Sequence, residues 1–539
     1  MGILGDSNVA VELWGSLVLC VAVALSLLGV GAALLSLTEA GQRLRGLELL
    51  AYAVAVGVIG HGLLGVFVVS LPSDNRLNAA IGFALLYALS CWQWYRHGVL
   101  GKLLAGRWRL TVIGFCTWIG MALSCMAIVS MPVRFPGELP DGPYVIKNHH
   151  LHVKVQVMMG AFPADNYLPF LSSEFLLRDI QFAFERPLMP GQELSNRPIL
   201  MSLVNVPFRA LLDPPPKQVQ ALPRFKYVGQ DWPDVGSLGD DAAFRQFLAV
   251  GIVLNSTLLL GAALLLVHAG LRGTYVLSGL LVIASSPYFI AQTLFTWPKS
   301  LAGFFLILGA YTLLSRRSVF VAGVLAGMAY WSHPYAIVFA GCFGLYILLR
   351  DGVKLQCARS LVSYGVALVV CLLPWWLWTR WYLQIPSDLV AQNLLSTASP
   401  GDLLWIRVAN AARTFLPMYL GTFPITLNQF FQDLLVSITG ATGVLLLAQA
   451  YAGAWTYGSQ RPKELFAFVV LPSALLVGVF SAPAVPAVHG LQAIGIVLCV
   501  FAMKFMQDRM SQRVVLTCVI LQLLINVGLL WARADALLS

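Results

Sequence analysis

Long runs of apolar residues alternate along the chain with short polar turns, a pattern that does not suit a soluble fold. A helix needs about 20 apolar residues to cross a ~30 Å hydrocarbon core. Runs of roughly that length fall at 12–37, 46–71, 77–95, 109–131, 244–269, 273–293, 298–315, 318–332, 334–350, 361–379, 430–453, 464–482, 485–505 and 513–532. The pattern predicts an all-α polytopic membrane protein with about fourteen transmembrane helices. The pair 318–332 and 334–350 is short and interrupted. The first run lacks a basic leader and a small-residue cleavage site, so it reads as a retained helix.

One long polar segment, 132–243, interrupts this rhythm between the fourth and fifth runs. It holds half of the acidic residues and about half of the prolines. Loops of this length inside a compact protein usually carry function. Residues 144–157 (YVIKNHHLHVKVQV) alternate as a strand does. Residues 166–182 predict an amphipathic helix with Leu168, Leu171, Phe175 and Ile180 on one side and Asp165 or Asn166 as N-cap. Residues 198–211 predict a second, with Pro198 in its first turn. Two such helices are expected to lie at the membrane surface. Residues 212–243, with Pro214, Pro215 and Pro216, read as an extended connector.

Composition agrees with the membrane assignment. Hydrophobic residues make up 58% of the chain and charged ones 11%, against about a quarter charged in soluble domains. Cytosolic globular, disordered, collagen-like and nucleic-acid-binding classes are excluded. The formal net charge of +10 has a topological origin. Basic residues cluster in alternate turns: Arg43 and Arg45; Arg96, Lys102, Arg107 and Arg109; Arg272; Arg316 and Arg317; Arg350, Lys354 and Arg359; Arg461 and Lys463; Lys504, Arg509 and Arg513. These are 17 of the 34 Lys and Arg residues. By the positive-inside rule they face the cytoplasm, and both termini and segment 132–243 face outward. The expected location is the cytoplasmic membrane, with no nucleic acid as partner. The nine cysteines form no disulfide framework: eight lie in or beside apolar runs and Cys357 in a short basic loop.

The order of parts resembles a known family. An outward loop carries an early Asp in "PADNYLPFLSSEFLL" and then "SNRPILMSLVNVPFRALL". Next come "SSPYFIAQTLFTWPKSLAGFFLILGAYTLL" and the couplet "VFVAGVLAGMAYWSHPYAIVFAGCFGLYILL". Over residues 109–380 this is similar to the GT-C superfamily of membrane glycosyltransferases, which includes protein O-mannosyltransferases and the aminoarabinose transferases of lipid A. The resemblance implies transfer of a sugar from a polyprenyl-phosphate or pyrophosphate carrier, at the outer face of the membrane, to a glycan, lipid or protein acceptor. It divides the chain into an N-terminal three-helix extension (1–108), a core with the outward loop (109–380) and a C-terminal part with an outward loop and four further spans (381–539). The mannosyltransferase branch carries an Asp-Glu pair early in this loop. Here the pair is Asp165-Asn166.

Inverting glycosyl transfer needs a carboxylate to take the acceptor's hydroxyl proton and cations to stabilise the leaving phosphate. Asp165 is the candidate base, and a helix N-terminus would keep it ionised. Glu174, nine residues on, points to the other face. It is a second acidic candidate for substrate and is also set to pair with Arg178. Lys299, in Trp297-Pro298-Lys299 at the outer mouth of a span, is a candidate phosphate ligand, although snorkelling accounts for it equally. Arg197, read as beginning a helix where the dipole disfavours a cation, needs an anion, either the donor phosphate or Glu193. Arg380, after Pro374-Trp375-Trp376-Leu377-Trp378, and His333, in Trp331-Ser332-His333-Pro334, are further donor contacts, with His489 in a similar position.

A metal is a weaker reading. In the cluster His149, His150 and His152, the last two would share one face of a strand, but no third ligand is identified. Asp231, Asp234, Asp240 and Asp241 suit a solvated loop better than a divalent-cation site. No organic cofactor is implied. Two other functions compete with the transferase. An O-antigen polymerase or ligase also has many spans and one long outer loop, though typically late in the chain. A lipid or solute transporter would show internal repeats and midplane charges, and neither is evident.

Overall fold

The structure is a computed structural model, and it describes residues 7–130, 156–157, 160–161, 168–180, 194–217, 224–227, 230–233, 241–315, 317–384, 399–415, 442–479 and 490–538. Numbering only the longer helices, α1 is Ser7–Ser36, α2 Gly46–Ser70, α3 Asn75–His97 and α4 Trp108–Ser130. The loop segment supplies α5 (Leu168–Arg178) and α6 (Leu200–Leu212). Then come α7 (Asp241–Ser256), α8 (Leu258–His268), α9 (Gly273–Ser285), α10 (Pro287–Leu294), α11 (Lys299–Leu314), α12 (Val319–Ser332), α13 (Ala336–Asp351) and α14 (Leu355–Leu377). The C-terminal part holds α15 (Pro400–Phe415), α16 (Leu447–Gly458), α17 (Leu471–Gly478), α18 (Gln492–Arg509) and α19 (Gln512–Leu538).

Among the described residues, six helices are long and apolar enough to cross a membrane, or seven if one bent pair counts as a single span. The chain is a helical membrane protein. Of the other predicted runs, α11 and α12 are apolar but shorter, and α3 has the length but carries Asn75, Arg76, Asn78, Gln93 and Arg96. Residues 430–441 of the run 430–453 lie outside the described residues. Span Ala242–His268 lies at the centre, with 94% of its apolar window buried, whereas Leu355–Leu383 and Gln512–Trp531 bury 17% and 22%. Helices that leave so much apolar surface uncovered are stable only where lipid covers it.

Lipid tails are as apolar as leucine, so helix association in a membrane relies on close packing. The α1–α2 pair uses glycine for this. A Cβ added at Gly31 would overlap the Ala53 carbonyl, and one at Gly57 the Leu27 carbonyl. Gly65 does the same for α6, since a Cβ there would overlap the Leu203 carbonyl oxygen. The N-terminal helices therefore hold the loop helices: α2 and α3 pack on α6, and α1 on α7.

This arrangement corrects the expected surface helices. Every residue of α6 from Leu200 to Ala210 is buried, and α5 buries Phe170, Leu171, Phe175 and Leu177 together with Glu174. Both are internal struts. Sequence amphipathicity reports two environments, and here the second is packed protein instead of water. Helix α5 is shorter than expected and is followed by Asp179 in the left-handed region (φ 60°). The supposed connector 212–243 contains a two-stranded antiparallel hairpin, β3 (Arg224–Tyr227) with β4 (Gln230–Pro233), pairing Phe225 with Trp232. Of the strand expected over 144–157, Gln156–Val157 (β1) pairs with Gly160–Ala161 (β2), and 144–155 lie outside the described residues.

The basic turns meet at one end of the bundle. Arg317, after α11, holds Glu48 of α2 at 2.6 Å. The Arg272 backbone N–H, before α9, donates to the Gln507 amide of α18 at 2.9 Å. Lys463 donates to the Leu349 carbonyl of α13 at 2.5 Å. All nine cysteines are free, and Cys357 lies buried in the first turn of α14, not in a loop.

Candidate functional site

The run 273–293, expected as one helix, is broken. Helices α9 and α10 meet at 61°, because Pro287 has no N–H to continue the ladder and forces Ser286 to extended backbone (φ −62°, ψ 126°). A second irregular stretch, Phe295–Pro298, separates α10 from α11. Backbone freed inside a bundle must find partners, and Asn255 of α7 supplies them. Its Nδ2 donates to the carbonyls of Phe295 (3.2 Å), Trp297 (3.3 Å) and Gln292 (3.4 Å), and its Oδ1 accepts the Leu301 N–H at 3.3 Å. Asn255 is fully buried.

Trp297 is thereby fixed, and three chain segments converge on its ring. Lys299 Nζ lies 4.0 Å from the ring centroid and Arg197 Cζ 4.9 Å, both within cation–π range. The His333 ring sits 5.3 Å from it, tilted by 54°. His333 in turn contacts Tyr335 at 4.9 Å and accepts the Tyr335 backbone N–H on Nδ1 at 3.3 Å. The Tyr335 hydroxyl donates to the Lys299 carbonyl at 2.8 Å. A cleft of about 10 Å³, lined by Leu168, Arg197, Trp297, Pro298 and His333 among others, opens at this point. That is room for about one water. Lys299 and His333 are buried, while Trp297 and Arg197 are half-buried. Positive charge is concentrated here by Arg197, by Lys299 and by the N-terminal end of α11, whose first residue is Lys299. Such a cluster can hold a compact anion.

Comparison with protein-family models, curated proteins and solved structures finds no match. The site's chemistry therefore stands by itself.

Arg197, Lys299 and His333, chosen from separate parts of the sequence, are brought together. The reason given for Arg197 needs correction: it does not start a helix. It follows the 3-10 turn Leu194–Asn196, donates its backbone N–H to the Leu194 carbonyl at 2.8 Å, and stands three residues before α6. Its position comes from that turn and from Trp297. Glu174 lies outside the cleft. It is fully buried, with Oε2 3.1 Å from Arg178 Nε and Oε1 2.8 Å from Arg209 Nε, and Arg209 also holds Asp213 at 2.6 Å. The pairing with Arg178 is as expected, and Arg209 is the partner the sequence did not disclose. The Arg209 guanidinium is held above its ordinary pKa. Burial opposes its charge, and the carboxylates of Glu174 and Asp213 outweigh that.

Arg380 does not line the cleft either. It is exposed on the π-helical turn Trp378–Leu383, beside the aromatic series Trp331, Trp375, Trp378 and Tyr382. Asp165, Glu193, His489 and the histidines at 149, 150 and 152 lie outside the described residues. Asp165 stands three residues before Leu168, which lines the cleft. Among the described residues no three His, Cys, Asp or Glu side chains are grouped as a metal site requires. Asn255 and Tyr335 escaped sequence reasoning. The available signal was an Asn at the middle of an otherwise apolar run, where a polar group must satisfy a backbone break or serve function.

Proposed function

We propose that the protein is a membrane glycosyltransferase that moves a sugar from a polyprenyl-phosphate carrier to an acceptor at the outer face of the cytoplasmic membrane. The observation that carries this reading is the convergence of Arg197 and Lys299 on Trp297, with His333 beside them. A lipid-linked donor presents one compact anion at the membrane boundary, and this cluster offers two cations and a helix N-terminus at one point. The cleft is too small for a sugar, so the phosphate would sit at its mouth.

In this reading Asp165 takes the acceptor hydroxyl's proton while that oxygen attacks the anomeric carbon. The bond from that carbon to the phosphate oxygen breaks, and its electron pair leaves with the carrier phosphate. Lys299 and Arg197 hold the charge that develops there. His333 and Arg380 are further donor contacts, and Glu174 holds α5 and α6 in place. The chain would cross the membrane about fourteen times, with segment 132–243 outside. The GT-C resemblance over 109–380 supports the same chemistry.

The decisive experiment is binding of short-chain polyprenyl-phosphate sugars to the purified protein, followed by transfer to acceptor glycans. Saturable binding that depends on Lys299 supports the transferase. Absence of binding by the wild type across the common sugars would favour a transporter or a polymerase.

A further inference from the structure

At the opposite end of the bundle, the turn before α4 and the turn between α8 and α9 border an open surface groove of about 870 Å³. These turns are about 160 residues apart in sequence, and each contains a glycine in the left-handed region, Gly106 (φ 70°) and Gly270 (φ 78°). The lining carries Arg107, Arg109 and Arg272 and contains no Asp or Glu. All three arginines are exposed, and among the described residues none is in a salt bridge. Arg109 Cζ lies 5.7 Å from the Trp108 ring centroid. The Arg272 turn is held in shape by Gln507, which accepts the Arg272 N–H at 2.9 Å and donates to the Gly270 carbonyl at 3.3 Å.

An apolar wall adjoins this basic groove. Leu277 lines it at 36% exposure, and Val112 on α4 and Leu281 on α9 continue the wall at 38% and 40%. Trp108, half exposed, stands at the rim as interfacial tryptophans do. Charge above and exposed leucine and valine below match a ligand with an anionic head and hydrocarbon tails.

We propose that this groove binds the headgroup of an anionic phospholipid on the cytoplasmic side of the membrane, with the phosphate between Arg107, Arg109 and Arg272 and the acyl chains along Val112, Leu277 and Leu281. Anchoring by the positive-inside rule explains why these loops are basic. It does not explain why two distant basic turns border one groove. A soluble phosphate would meet the arginines and leave the apolar wall uncovered. The inference does not depend on the transferase reading.

The test is binding of short-chain phosphatidylglycerol and phosphatidylcholine to the full-length protein in detergent, read by native mass spectrometry. Phosphatidylglycerol should bind at least about tenfold more tightly. Arg107→Gln and Arg272→Gln should each weaken it about fivefold, the effect of one basic residue at an anionic headgroup. Arg359→Gln and Arg513→Gln, which remove equal charge from the N-terminal turns of α14 and α19, outside the groove, should change it by less than about twofold. Leu277→Asn keeps every arginine and should weaken phosphatidylglycerol while leaving glycerol phosphate binding unchanged. Equal losses from the control variants, or equal affinity for phosphatidylcholine, would overturn the proposal. Displacement of the lipid by inorganic phosphate at equimolar concentration would identify a soluble-anion site and overturn it as well.

Discussion

Asn255, at the centre of the most buried span, donates a hydrogen bond to the backbone carbonyl of Trp297 at 3.3 Å. One side chain thereby anchors the irregular stretch that carries the aromatic platform of the candidate site. Asn255→Leu removes the amide that donates to the carbonyls of Gln292, Phe295 and Trp297 and accepts from the Leu301 N–H. Each buried group left unsatisfied costs about 1–3 kcal/mol. The expected outcome is a melting temperature several degrees lower in detergent together with weaker donor binding. An unchanged melting temperature would show that water takes over the bonds and that Trp297 is held by other means.

Lys299 and Arg197 should behave as charge ligands. Contacts of this type contribute about 1.5–3 kcal/mol, so Lys299→Ala and Arg197→Ala should each weaken polyprenyl-phosphate-sugar binding by roughly 10- to 100-fold. Lys299→Arg should retain part of the affinity. Titration of the purified variants with a short-chain donor measures this, and full affinity in both alanine variants would remove these residues from the donor site.

Asp165→Asn should leave expression and melting temperature intact while lowering transfer about 10²-fold or more, the scale of general-base catalysis. Transfer at the wild-type rate would reduce Asp165 to a helix cap.

Glu174 should behave in the opposite way. Glu174→Ala leaves Arg209 buried with only Asp213 as carboxylate partner, and breaking a buried pair costs about 3–5 kcal/mol. A large fall in melting temperature is expected, with normal donor affinity in the fraction that remains folded. Adding Arg209→Met should recover part of the loss, because a buried pair replaced by apolar side chains is often neutral. A stable Glu174→Ala protein that no longer binds donor would return Glu174 to the substrate site.

Sidedness is open to a direct measurement. A single cysteine placed in segment 132–243, in a background where the nine native cysteines are replaced, should react with an impermeant thiol reagent on intact cells, and one placed at 96–109 should not. The reverse result would invert the topology and move the Trp297 cluster to the cytoplasm.

The membrane character and the positions of many apolar helices were legible in the sequence, and Arg197, Lys299 and His333 could be named there as candidates. Apolar runs are local in the chain, and a cation or histidine at the mouth of such a run is costly wherever the fold places it. The tertiary structure alone decided which of these residues meet. The Pro287 break, the irregular stretch at Phe295–Pro298 and the bonds from Asn255 set the depth and direction of Trp297, and those bonds join residues about forty positions apart. The same holds for the loop helices. Their apolar stripes were visible, but only the packing of α6 against α2, through the carbonyl of Leu203 at Gly65, and of α5 against α6 settles that they face protein. A hydrophobic pattern specifies that a face must be covered, and long-range packing specifies by what.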